Sequence, residues 1–233
     1  MIFLRSLAFL LAKTALTIPF SLLVLMAFPL PALPRYRMIS QWSRMVVWLA
    51  RVIVGIRYRV EGLENLPAEP VVILSKHQSA WETIAFQQIF PPISFVLKRS
   101  LLHIPFFGWG LALFSPIAID RAAGREALKQ IETQGMARLK SGFCVLIFPE
   151  GTRVAPGETG KYQAGGAYLA TKAAVPVLPV AHNAGRCWPK NGFLKYPGEI
   201  VVRIGPLVPT SGRKAAQVMA ESERWIEAAM RGL

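Results

Sequence analysis

Cys144-Val145-Leu146-Ile147-Phe148-Pro149-Glu150-Gly151-Thr152-Arg153 is the stretch that organises the rest of the chain. A short apolar run meets a proline, a carboxylate, a glycine and an arginine. A run this brief and this uniformly apolar predicts a strand buried on both faces. Pro149 and Gly151 stop it. The same form recurs outward from it, predicting strands at 71–74, 94–97, 117–119, 144–148, 177–181 and 200–204. Helical spacing fills the gaps at 80–89, 106–113, 125–140, 164–173 and 213–231. Buried strands alternating with helices predict an α/β fold over residues 57–233, a mostly parallel or mixed sheet flanked by helices.

Before residue 57 the pattern changes. Residues 1–33 carry only Arg5 and Lys13 as charges, and the 21 residues 14–34 carry none. A helix of that length reaches across most of a bilayer. Pro19 interrupts the run and Pro29, Pro31 and Pro34 close it, so a kinked helix dipping into one leaflet fits as well as a crossing one. A secretory signal is the competing reading. Lys13 inside the apolar part and the lack of a small-x-small cleavage site stand against it. In the second segment, 36–56, Arg37, Arg44 and Arg51 recur at seven-residue steps, with Trp42 and Trp48 among apolar residues. A basic amphipathic helix with two tryptophans suits a headgroup boundary, and a surface helix packed on a domain shares that pattern. Residues 1–56 are therefore expected to form a membrane-embedded two-helix module. Residues 1–60 hold eight basic residues and no acidic one. That asymmetry predicts an α/β domain on the cytoplasmic side of a membrane and attraction to anionic membrane lipid.

Over 233 residues the net charge is +14 and 53% of residues are apolar. Such apolar content excludes a disordered chain, and two cysteines exclude a disulfide scaffold. The charge asks for an anionic partner. Joined to the apolar excess it favours lipid over nucleic acid, and the α/β part shows no nucleic-acid motif. Cys144 reads as a small core residue. His77, His103, His182 and Cys187 lack the paired spacing of metal ligands, so neither metal nor cofactor is expected. No Gly-x-Ser-x-Gly occurs, which removes a nucleophile-elbow hydrolase. Nothing in the sequence speaks to oligomeric state.

Three segments begin where a predicted strand ends, the place where α/β sheets carry their sites. In Ser75-Lys76-His77-Gln78-Ser79-Ala80-Trp81-Glu82 a histidine precedes a carboxylate by five residues. If Glu82 folds back, it accepts a bond from one ring nitrogen and leaves the other as a base. A satisfied structural pair has the same spacing. Ile119-Asp120-Arg121 and Glu150-Gly151-Thr152-Arg153 each place an arginine past a buried strand. The guanidinium fork matches a phosphate, while surface pairs Arg121–Asp120 and Arg153–Glu150 are the alternative. Lys98 also follows a predicted strand and can join a phosphate cluster.

HQSAWE at 77–82, AIDR at 118–121, FPEGTR at 148–153 and VPVLPVAHNAG at 175–185, in that order and spacing, resemble the four blocks of the glycerolipid acyltransferase family. The resemblance covers about residues 61–205. It implies transfer of an acyl group from acyl-carrier protein or coenzyme A to the sn-2 hydroxyl of lysophosphatidate, giving phosphatidic acid in phospholipid biosynthesis. His77 would be the general base and Glu82 its orienter. Arg121 and Arg153 would contact the phosphate. Glu150 and Gly151 would shape the glycerol site, and Thr152 belongs to the same block. The family carries aspartate where this chain has Glu82, a change of one methylene. The same blocks serve relatives that acylate other lysolipids, such as lyso-ornithine lipid. A non-catalytic basic membrane-surface protein is the alternative from a different class.

Overall fold

Why the central strands are apolar throughout is explained by where they lie. The computed structural model describes residues 1–104, 107–120 and 123–233. Among these, seven strands form one sheet: β1 (Ile56–Glu61), β2 (Val72–Ser75), β3 (Ile93–Lys98), β4 (Ile117–Ile119), β5 (Cys144–Ile147), β6 (Val177–His182) and β7 (Gly198–Ile204). Their order is β1-β7-β6-β2-β5-β3-β4. The β6–β7 pairing is antiparallel and the others are parallel. The sheet is thus mixed, with β2, β5 and β6 at its centre.

Successive residues of the central strands face opposite layers, as a two-residue period requires. Ile73, Leu146 and Leu178 join one apolar cluster, and Val72, Leu74, Val145, Ile147 and Val177 join another. The first layer holds Tyr36, Val46 and Val47 of α2 (Ala32–Leu49) and Trp81, Ile84 and Phe86 of α3 (Trp81–Ile89). On the second face lie α5 (Arg125–Lys140), α6 (Gly165–Ala173) and α8 (Ala215–Met230), which bury Ile131, Leu169 and Ile226. Two shorter helices, α4 (Phe107–Ala112) and α7 (Ala184–Cys187), cap loops. Phe106, the expected start of α4, lies outside the described residues.

Strand β1 was not expected. Its burial runs from one buried residue, Ile56, to an exposed Arg57-Tyr58-Arg59, because it is an edge strand paired only with β7. An edge strand carries charge on its free side, so it shows no apolar run. Arg59 pairs with Glu199 at 3.0 Å and Arg203 with Glu61 at 2.7 Å, both across the β1–β7 ladder. The expected helix 36–56 is also displaced. It begins at Ala32, and Pro34 is tolerated because the first turn needs no intrahelical N–H donor. After Leu49 the chain loosens into a π-turn, Ala50–Val54, closed by Gly55 at φ 89°, a conformation open to glycine.

The apolar N-terminal run is a single helix, α1 (Ile2–Leu25), with Pro19 inside it. It packs along the rest of the chain. Phe9 meets Trp188 edge-on at 5.2 Å, and Ser6 Oγ accepts the Lys195 amide at 2.9 Å. Trp42 of α2 donates to Thr17 Oγ1 at 3.1 Å. Its other side leaves Leu11, Ile18 and Leu22 more than half exposed. By length and composition α1 is long and apolar enough to cross a membrane.

Candidate active site

Strands β2, β3, β5 and β6 run parallel, so their C-terminal ends open at one edge of the sheet. The turns leaving them bring together residues that are far apart in the chain. After β2, the Ser79 hydroxyl accepts the Trp81 amide at 3.0 Å, one residue ahead of the Ala80 N-cap of α3. Glu82 then falls in the first helical turn, where the helix dipole favours a negative charge.

From there the carboxylate folds back on the turn. Glu82 Oε1 lies 2.8 Å from His77 Nδ1 and accepts the backbone amides of Gln78 at 2.9 Å and Ser79 at 2.7 Å. With an acceptor-only carboxylate on Nδ1, the ring proton sits there and Nε2 keeps its lone pair. Burial alone raises the Glu82 carboxyl. The neighbouring His182, the His77 bond and the Ser79 amide outweigh it, and the net shift is downward. His182 lies 4.0 Å from the same oxygen. Its Nε2 donates to the Lys76 carbonyl at 2.8 Å and its Nδ1 accepts the Ala184 amide at 3.3 Å. Burial pushes its imidazole down, against the opposing pull of Glu82, so it stays neutral.

His77 is held from every side. Its amide donates to Glu150 Oε2 at 2.9 Å, and its carbonyl accepts the Val154 amide at 2.8 Å. Its ring stacks on Phe148 with centroids 3.9 Å apart and planes 13° from parallel. The other Glu150 oxygen meets Lys76 Nζ at 2.7 Å, both side chains almost fully buried. Lys76 reaches on to Glu227 of α8 at 2.9 Å and to the Glu158 carbonyl at 3.2 Å. Tyr162 donates to Glu227 at 2.8 Å; burial and then that bond push its phenol up, so it remains a donor. Gly151 turns the chain after Phe148 at φ 68°, which an L side chain rarely adopts.

His77 opens onto a cavity of about 470 Å³ that Lys98 and Arg153 also line. Most of its wall is apolar, including Phe20 and Val24 of α1, Ile39 of α2, and Phe95, Leu111 and Phe114. Lys13 of α1 lines it as well. The arrangement offers a base, three basic side chains for an anionic group, and an apolar cavity shared with the N-terminal helices. Among the singled-out residues, then, His77, Glu82, Lys98 and Arg153 converge. Glu150 is turned inward, paired with Lys76 rather than with Arg153. Thr152 is exposed and does not line the cavity. Arg121 lies outside the described residues. Sequence reasoning passed over Lys76, Phe148, His182 and Glu227. Lys76 carried a signal as a lysine directly after an apolar strand, and Phe148 and His182 lay inside two of the quoted blocks without a role; Glu227 carried none.

A mixed α/β sheet with a histidine–carboxylate pair at its strand ends, facing a largely apolar cavity, has the layout of an enzyme site. The chain belongs to the acyltransferase family: residues 57–183 match the family model described as Acyltransferase. It is 54% identical over 205 residues to a 1-acyl-sn-glycerol-3-phosphate acyltransferase of Pseudomonas aeruginosa, covering 86% of this chain and 80% of that one. The 1-acyl-sn-glycerol-3-phosphate acyltransferase of Saccharomyces cerevisiae is 30% identical over 174 residues, 71% of this chain and 57% of the yeast protein. In fold, the chain matches the crystal structure of the 1-acyl-sn-glycerophosphate acyltransferase of Thermotoga maritima with TM-score 0.81. That match covers 98% of this chain and 94% of that one at 22% identity.

Proposed function

We propose that this acyltransferase moves an acyl group from a thioester, on acyl-carrier protein or coenzyme A, to the sn-2 hydroxyl of 1-acyl-sn-glycerol-3-phosphate. The observation that carries the reading is one cavity lined by His77, with Nδ1 committed to Glu82, and by the cations Lys98 and Arg153. The names of the relatives point the same way.

His77 Nε2 takes the hydroxyl proton while the oxygen attacks the thioester carbon. The carbonyl oxygen becomes an oxyanion, the C–S bond breaks, and the departing thiolate takes the proton from the imidazolium. The substrate hydroxyl is the nucleophile, so no acyl-enzyme forms. Glu82 fixes the tautomer and stabilises the transient imidazolium. Arg153 and Lys98 hold the phosphate and bring the hydroxyl to the base. The apolar wall takes the acyl chain.

The exposed face of α1 and the basic face of α2 would anchor residues 1–56 in the inner membrane, with 57–233 on its cytoplasmic face. Replacing Leu11, Ile18 and Leu22 by glutamine should then release the protein from vesicles while activity on a short-chain, soluble acceptor persists. Retained sedimentation with vesicles would discard the anchoring role.

The test of the reaction is thiol release from an acyl thioester with a panel of acceptors: lysophosphatidate, lyso-ornithine lipid and a monoacylglycerol. Release with lysophosphatidate alone supports the reading. Release only with lyso-ornithine lipid moves the acceptor, and none with any of them leaves a binding protein.

A further inference from the structure

A second cavity, also about 470 Å³, lies away from His77. One wall is α2, whose Arg37, Ser40, Gln41 and Arg44 recur at three- and four-residue steps and so share a face. The opposite wall carries Gln87 and Gln88 from the end of α3. No acidic residue lines it. Among the described residues, neither arginine has an ion-pair partner. Gln87 donates to the Thr83 carbonyl at 3.0 Å, which fixes its amide and leaves Oε1 buried with no partner. Gln88 Nε2 is likewise buried and unpartnered. Such orphaned amides cost free energy unless something fills the space beside them.

We infer that this cavity binds the headgroup of an anionic phospholipid bearing a free hydroxyl, of the phosphatidylglycerol kind. Two guanidinium forks match a phosphodiester. Gln87, held by Thr83, offers Oε1 to a headgroup hydroxyl, and a turn of the Gln88 amide brings Nε2 to a phosphate oxygen. Leu33, Pro91 and Pro92 supply apolar surface for the glycerol backbone. The helix that carries the arginines packs directly against α1, the helix with the apolar exposed face. The site borders the acyl-transfer cavity, which Gln87 also lines, but takes its arginines from α2 and does not depend on the identity of the acceptor.

Two neighbouring arginines supply a control. All four arginines are exposed, but Arg37 and Arg44 line the cavity and Arg51 and Arg57 do not. The full chain in an uncharged detergent is titrated calorimetrically with dihexanoyl phosphatidylglycerol, dihexanoyl phosphatidylcholine, glycerol phosphate and inorganic phosphate. Saturable binding of the phosphatidylglycerol is expected, with the other three weak. R37Q/R44Q should weaken it about tenfold or more, the loss of charge-assisted hydrogen bonds. R51Q/R57Q, with the same change of charge, should leave it in place. Equal losses in the two double variants would show diffuse charge attraction and overturn the site. Inorganic phosphate binding as tightly as the lipid would make it a free-phosphate site instead. Weakening by R153Q would put the lipid in the catalytic cavity. A rise in the KM for acyl-carrier-protein donor in R37Q/R44Q with lipid binding intact would assign the arginines to a protein partner.

Discussion

At His77 the backbone is clamped on both sides and the ring is fixed by Glu82 and Phe148. Two consequences belong to single residues. H77A should lower thiol release by about 10²–10⁴-fold, the usual worth of a positioned base. An unchanged rate would remove the histidine from the chemistry. E82Q should fall further than E82D, because the amide keeps the shape but loses the charge that steadies the imidazolium. The reverse ranking would mean that reach, not charge, is what Glu82 supplies. On the other wall, R153Q should raise the KM for lysophosphatidate about tenfold, as expected on losing a charge-assisted bond to phosphate, with kcat much less altered. A fall in kcat with constant KM would detach Arg153 from acceptor binding. The histidine, the acid and the arginine were all visible as residues after apolar runs. What their spacing left open was whether His77 and Glu82 were a structural pair, and whether Arg153 would turn to Glu150. His77 and Arg153 line one cavity, and Glu150 pairs with Lys76.

At the scale of elements, Lys76 joins the turn after β2 to the turn after β5 and to α8. Its side chain is 1% exposed and Glu150's 0%, so the charges cannot be hydrated if the pair is broken. K76M should therefore destabilise the fold by about 3–5 kcal/mol by stranding a buried carboxylate. K76M/E150Q, which removes both charges, should recover part of that loss. Thermal unfolding in detergent reads both, and equal stability of K76M and the parent would show that the pair is not holding the turn. The helices and central strands of this layer follow from periodicity, since burial on one or both faces writes itself into the order of apolar residues. Strand β1 does not, because an edge position buries little and its charges are spent across the ladder on Glu199 and Arg203.

For the whole molecule, two buried groups make stability depend on acid. His182 has its folded value lowered by burial, so the unfolded chain binds the extra proton first. Its contribution is complete above the ordinary imidazole value of about 6.5 and is lost as pH falls below it. Glu82, also lowered in the folded state, adds a second loss below the ordinary glutamate value of about 4.3. Denaturation in detergent between neutral pH and pH 5 should show falling stability, and H182N should flatten that slope. A slope identical to the parent's would place the sensitive group elsewhere.

Composition, run length and four short blocks were enough to reach an α/β sheet, an apolar basic N-terminal segment and the residues at the strand ends. Those are local properties, set by which side chains must leave water and by which turns a proline or glycine permits. Tertiary structure alone decided that β7 runs against β6 and receives β1 at the edge. It alone made Lys76 reach across 151 residues to Glu227, and put α1 and α2 in the wall of the cavity that His77 lines. Contacts at such separations depend on how layers stack and which charges are shut away from water together, and no window of neighbouring residues records that.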